Sequence, residues 1–357
     1  MYKSATIALR KENDLNYITE NWKAIVQPYQ KPNQKLAFVQ ILTSFIPFFG
    51  IWALMYYSMQ VSYLLTLFLA FVNAFFLVRI FIIQHDCGHQ SYLASKKWND
   101  GIGFVCSLFS AIPYKYWAKS HNFHHGHNGR LEEDIRDIGD VSLLTVNEFK
   151  ALTPWQQLRY RIYRMPIVLF VFGSLYYILL HNRLPLINKD SFKAARKSLV
   201  WSNIAIVVTY IALIAIFGWQ TILKIQLPIL AFFGIIAVWF FYVQHQHEYS
   251  YKQWKKDWNY VLSAIKGSTY YKLPKMFQWL TGNIGIHHIH HLSSLIPNYN
   301  LQRCKDENPI LQKYVTQVTF FESLKYISHK LWDEDNQKMI SFNKFYKQYG
   351  KNQQQQS

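Results

Sequence analysis

Residues Val61–His89 read VSYLLTLFLAFVNAFFLVRIFIIQHDCGH. From Val61 to Ile83 the stretch is apolar and free of acidic residues, and it then sets two histidines four apart, His85 and His89. A bilayer is crossed by roughly 17 to 25 residues, so the apolar part is long enough to span. Backbone groups in lipid must be satisfied within their own segment, which makes the span a helix. On a helix, positions i and i+4 share one face. The stretch therefore predicts a membrane helix that ends in a pair of neighbouring imidazoles.

Working outward, three further blocks are long and apolar enough to cross: Leu36–Tyr57, Leu199–Gly218 and Leu227–Val243. Met165–Leu180 is borderline, and Gly101–Pro113 is too short and reads as interfacial. Hydrophobic residues make up 51% of the 357-residue chain, yet Lys and Arg number 38 against 20 Asp and Glu, a net charge of +18. No zinc-finger, helix-turn-helix or RNA-binding signature accompanies that charge, so no nucleic-acid partner is expected. An anionic membrane surface is the better counterpart.

The loop between the first two spans carries no Lys or Arg, and the link between the last two carries only Lys224. The N-terminal arm, the stretch 84–164, the stretch 181–198 and the C-terminal region are basic. By the positive-inside rule both termini and the centre are cytoplasmic. Met165–Leu180 has Arg159, Arg161 and Arg164 before it and Arg183, Lys189, Lys193, Arg196 and Lys197 after it. With both flanks inside, it lies along the surface or dips in without crossing.

The expected fold is thus an all-α integral membrane protein: four transmembrane helices in two hairpins, with a helical cytoplasmic cap. Residues 1–35 form a cytoplasmic arm, 36–301 the membrane domain and 302–357 a cytoplasmic region ending in the polar, disordered tail KNQQQQS. The charged, mixed N-terminus lacks the pattern of a secretory signal. Cys87, Cys106 and Cys304 show no paired spacing and read as buried thiols rather than a disulfide framework.

Twelve of the 14 histidines fall in four clusters. HDCGH gives His85 and His89. HNFHH gives His121, His124 and His125, followed by His127. QHQHE gives His245 and His247. HHIHH gives His287, His288, His290 and His291. The offsets i, i+3, i+4 put His121, His124 and His125 on one face, and likewise His287, His290 and His291. His127 and His288 fall off those faces, and His181 and His329 stand alone. Placed against the spans, the clusters can meet at one level just inside the membrane. Eight imidazoles exceed what one ion takes, so two metal ions are expected. Imidazole suits several transition metals. The zinc-protease pattern and the Glu-x-x-His pairs of carboxylate di-iron bundles are absent. An all-nitrogen pair of redox metals at a membrane surface points to oxygen chemistry on a lipid-soluble substrate.

HDCGH, HNFHH and GNIGIHHIHHLSSLIPNYNL, with WFFYVQHQHE at the end of the last span, resemble the integral-membrane fatty acid desaturases, most closely the acyl-lipid branch with Δ12/ω6-type and some bacterial Δ5-type enzymes. The resemblance covers roughly Leu36–Leu301. It implies two irons, with ligands at His85 and His89, at His121, His124 and His125, and at His287, His290 and His291, and a further ligand at His245. It implies O2 as co-substrate and a cis double bond formed in an acyl chain. His247 stands where an aromatic is common and is expected not to ligate. Metal-bound histidines pass their other N–H to a carboxylate, carbonyl or water. Asp86, Glu248 and His247 are candidates to stand behind the ligands; Glu132, Glu133, Asp134, Asp137 and Asp140 could serve there too, although a solvated loop is the commoner reading of that acidic run. Phe71, Phe75, Phe76, Trp239, Phe240 and Phe241 are candidates for lining an acyl tunnel, with interhelical or lipid packing as the commoner role.

No haem, flavin or fused cytochrome b5 motif is visible, so a ferredoxin or a separate cytochrome b5 is the implied electron donor, steered by the basic surface. The same boxes serve hydroxylases, acetylenases and conjugases. A different class, a histidine-rich metal transporter, would set its ligands near the bilayer midplane. Here they lie at span ends, and the spans carry little that ionises besides Arg79.

Overall fold

A computed structural model describes residues 2–349. The expected disordered tail lies outside the described residues. The chain opens with α1 (Tyr2–Val26), followed by α2 (Gln34–Ser58), α3 (Tyr63–Gly88), α4 (Lys96–Ser110) and α5 (Tyr114–His127). Short helices α6 (Glu133–Arg136) and α7 (Val146–Ala151) lead to α8 (Pro154–Tyr163) and α9 (Gly173–Leu179). Then come α10 (Lys193–Phe217), α11 (Trp219–His245), α12 (Tyr260–Gly267), α13 (Lys275–Leu280), α14 (His287–Leu292) and α15 (Asn298–Glu307).

Among the described residues four helices are long and apolar enough to cross a membrane: α2, α3, α10 with the turn before it, and α11. Their starts are set by side chains. Asn33 accepts from the N–H groups of Lys35 and Leu36, and Ser62 from that of Leu65, satisfying donors that a helix start leaves free. α2 and α3 form one hairpin, tied by a 2.8 Å Ser58–Thr66 hydroxyl contact and by Asn73, whose Nδ2 donates to Phe48 O at 3.2 Å. Such polar links hold helices together where lipid gives no hydrophobic drive. α10 and α11 form the second hairpin, broken at Gly218. One face of α10 stays bare, with Val200, Trp201, Ile204, Val207, Val208 and Ile211 exposed, as a lipid-facing stripe requires.

Three boundaries differ from the sequence reading. α3 runs past Ile83 to Gly88, so His85 lies on the helix rather than after it. α11 starts at Trp219, not Leu227, and passes through Pro228 unbroken; Lys224 is in its second turn and the link to α10 is Gly218 alone. The segment around Met165–Leu180 is a broken pair: α8 and the stretch Ile167–Arg183 meet at 63°, and Ile167–Phe172 winds as a π-helix.

All four long helices bring one end to the same side, where the cap sits. α1, α12, α14, α15 and the turn Pro309–Gln312 share a core of Ile18, Val26, Ile265, Ile289, Leu301 and Leu311. The cap also contains short strands that the sequence did not announce. β1 (Leu144–Thr145) pairs parallel with β4 (Leu331–Asp333), and β4 antiparallel with β5 (Lys338–Ile340). β2 (Thr269–Lys272) and β3 (Thr316–Thr319) form a parallel pair, Thr269 opposite Thr316.

Candidate metal centre

Four elements converge under the cap. The last turn of α3 carries His85, with His89 at its cap; α5 carries His121, His124 and His125; α11 ends in His245; α14 carries His287, His290 and His291. The box HDCGH needs its glycine for this: a Cβ on Gly88 would lie 2.9 Å from the Cβ of Ala118 on α5. With hydrogen there, α3 and α5 close until the His85 and His121 ring centroids are 4.7 Å apart.

None of the nine is more than 8% exposed. Among the described residues they form two groups. In the first, one ring nitrogen from each of His85, His89, His121, His125 and His290 lies within 4.8 Å of all the others; His124, His245 and His291 form the second. His287 joins the second group, its Nε2 3.0 Å from His245 Nε2 and 3.1 Å from His291 Nε2. The groups touch where His125 and His291 stack, centroids 4.0 Å apart.

The donor set suits metal ions. His89 and His290 have no hydrogen-bond partner on either ring nitrogen among the described residues, nor do His125 and His287 on Nδ1. An unpaired buried polar group costs about 1–3 kcal/mol, a penalty that a ligated ion removes. Pairs such as His125 Nε2–His121 Nε2 at 3.1 Å aim nitrogens at one another, as lone pairs do around a common cation. Burial, then the neighbouring imidazoles, holds His121, His125, His290 and His291 well below the ordinary imidazole range. Burial brings His124 down to about 3. Neutral imidazole is the ligating form.

Behind the rings, Asp86 Oδ1 lies 2.9 Å from His85 Nδ1, while its Oδ2 accepts from Asn298 N (2.6 Å) and Nδ2 (2.8 Å). His245 Nδ1 faces Gly267 O at 3.4 Å. His247 is fully buried, with neither nitrogen partnered among the described residues, and lies outside both groups. Glu248 is half-buried, its backbone carbonyl accepting from Met339 N. His127 stacks on Phe123 (4.1 Å), His329 on Tyr326 (5.3 Å), and His288 lies 6.3 Å from Tyr270. Cys87 is buried in the core cluster of the membrane helices.

Beside the histidines lies a cavity of about 540 Å³ between α3, α5, α9 and α11. Its wall is largely apolar, including Phe81, Ile112, Tyr177, Phe233, Val238 and Phe241, with His121 reaching it from α5. Of the six aromatics singled out in the sequence only Phe241 lines it; Phe75 packs on Phe277, and Phe240 on Tyr271. His181, unplaced by the sequence, also stands in the wall. The acidic run is corrected as well. Asp137 and Asp140 line this cavity, and the Asp140 side chain is only 9% exposed, so the solvated-loop reading fails for it. Glu133 and Asp134 do remain exposed.

A sequence model of the family described as "Fatty acid desaturase" matches residues 61–321. The "Fatty acid desaturase" of Bacillus subtilis (strain 168) is 45% identical over 89% of each chain. The "sn-1 oleoyl-lipid 12-desaturase" of Anabaena variabilis is 27% identical over 63% of each. The "sn-1 acyl-lipid omega-3 desaturase (ferredoxin)" of Nostoc sp. (strain 36) is 27% identical over 71% of this chain and 69% of its own.

Proposed function

The chain belongs to the fatty acid desaturase family and is a desaturase, and from that premise we propose that it forms a cis double bond in the acyl chain of a membrane lipid, with O2, two irons and an external electron donor. The observation that carries this reading is the convergence of nine buried imidazoles from four segments beside an apolar cavity. His85, His89, His121, His125 and His290 would hold one iron, and His124, His245, His287 and His291 the other. When bound, such a pair supplies the activation of O2 that lets hydrogen be taken from an unactivated methylene.

The chain's own residues do the rest. The cavity, about 540 Å³, is far larger than a single water needs and is roomy enough for a stretch of hydrocarbon chain. Its largely apolar wall favours a hydrocarbon chain over water and would hold it beside His121. Asp86, fixed by Asn298, holds the His85 ring with its second nitrogen toward the cluster, an outer contact of the kind that orients metal ligands. The exposed apolar stripe on α10 suits a lipid surrounding for the helices. By the positive-inside rule the cap, both termini and the histidine cluster are cytoplasmic. Electrons come from a separate donor, a ferredoxin or cytochrome b5; the Nostoc relative's name includes ferredoxin.

Expression in a host with saturated lipids, followed by gas chromatography and mass spectrometry of derivatised fatty acids, tests this. New cis double bonds are the expected result. Hydroxyl or triple-bond products would move the assignment to another reaction on the same scaffold, and metal accumulation over unchanged lipids would refute the enzyme reading.

A further inference from the structure

The first histidine group has Asp86 behind it; the second has a carboxylate from a different part of the chain. His124 turns Nε2 toward His245 Nε2, 3.3 Å away, so its Nδ1 points out of the cluster. The group it meets is Asp140, with Oδ2 at 3.7 Å. Less than one ångström of adjustment brings that pair to hydrogen-bonding distance.

Asp140 is held for this contact. Its Oδ1 accepts from the Val141 N–H at 2.6 Å. Lys252, 4% exposed, shares with it a polar cavity of about 20 Å³ that Gln246, Arg136 and His124 also line. A buried lysine needs a counter-charge, and Asp140 supplies one there. The backbone beside it is just as specific. Gly139 has φ +75°, and a Cβ on it would lie 3.0 Å from Ser120 O and 3.2 Å from His124 Cβ. The turn therefore rests directly on the part of α5 that carries His124, and only glycine permits both the conformation and the approach.

We infer that the Gly139–Asp140 turn is the outer clamp of the second histidine group: Asp140 takes the Nδ1–H of His124 and fixes that ring toward an ion shared with His245, His287 and His291. The clamp rests on the two-iron reading. Asp140 is a positioning residue; the ion touches His124, not the carboxylate.

The test uses the full-length chain purified from membranes in detergent, as wild type, D140N, D140E, G139A and the double variant D140N/K252Q. The double variant is included because losing Asp140 alone strands Lys252. Iron per chain, the Mössbauer spectrum of protein grown on enriched iron, and a monodisperse size-exclusion profile are measured for each. Expected are two irons in wild type and a loss of about one in D140N, G139A and the double variant, with the remaining signal unchanged. D140E restores the second. A wild type with two irons beside D140N and double variants that keep both, with the same spectrum, overturns the clamp alone. A wild type without iron overturns the two-iron reading and the clamp with it.

Discussion

His290 is fully buried, and neither of its ring nitrogens has a protein partner among the described residues. A ligated ion would relieve the cost of that unpaired placement. Replacing His290 with Ala is expected to lower double-bond formation by about 100-fold or more, at or beyond the 10- to 100-fold cost of losing an outer partner. Fatty acid analysis of membranes checks this, with immunodetection showing intact insertion. Asp86→Asn, which keeps the shape but weakens the acceptor, is expected to lower metal affinity by roughly 10- to 100-fold, measured by competition with a chelator. The histidines were legible because helical spacing marks a shared face without any knowledge of the fold. Asp86 was legible by adjacency to His85. Asp140 was legible only as one of five acids in the run EEDIRDIGD, which looks solvated until the turn at Gly139 lays Asp140 against α5.

Among the elements, the contact of α3 with α5 depends on Gly88. Gly88→Val adds bulk where Ala118 is already 2.9 Å from the position of a Cβ. Overpacking of that kind costs typically 1–3 kcal/mol. The expected outcome is a lower melting temperature in detergent and reduced iron content, read by thermal denaturation and metal analysis. The spans were readable because length and apolarity suffice to identify them. Their ends were less so: Lys224 and Gln226 interrupt the apolar run, yet α11 starts before them. Pro228 did not mark a break, since α11 continues through it. The pairing of β2 with β3 joins residues 47 apart, Thr269 and Thr316, and four-residue strands carry too little pattern to predict a partner. The cavity escaped the sequence for a similar reason. Its wall is assembled from α3, α5, α9, α11 and the turn 137–142, while most aromatics in the spans face other helices or lipid.

For the molecule as a whole, two hairpins bring His85 and His245 to one end, and the cap closes over them with His121 and His287. The bulk charge of +18 gives this assembly an attraction for an acidic donor. The second-order rate of reduction by a small acidic ferredoxin is therefore expected to fall as salt rises from about 0.01 M to 0.15 M, where the Debye length shrinks from about 30 Å to 8 Å. Stopped-flow measurements across that range check it, and a salt-independent rate would point to a donor bound through apolar contacts. The metal content of active, detergent-purified protein tests the central claim most directly. Close to two irons per chain, removed by chelation together with desaturase activity, is the predicted result; protein that still desaturates acyl chains with no bound iron would contradict it.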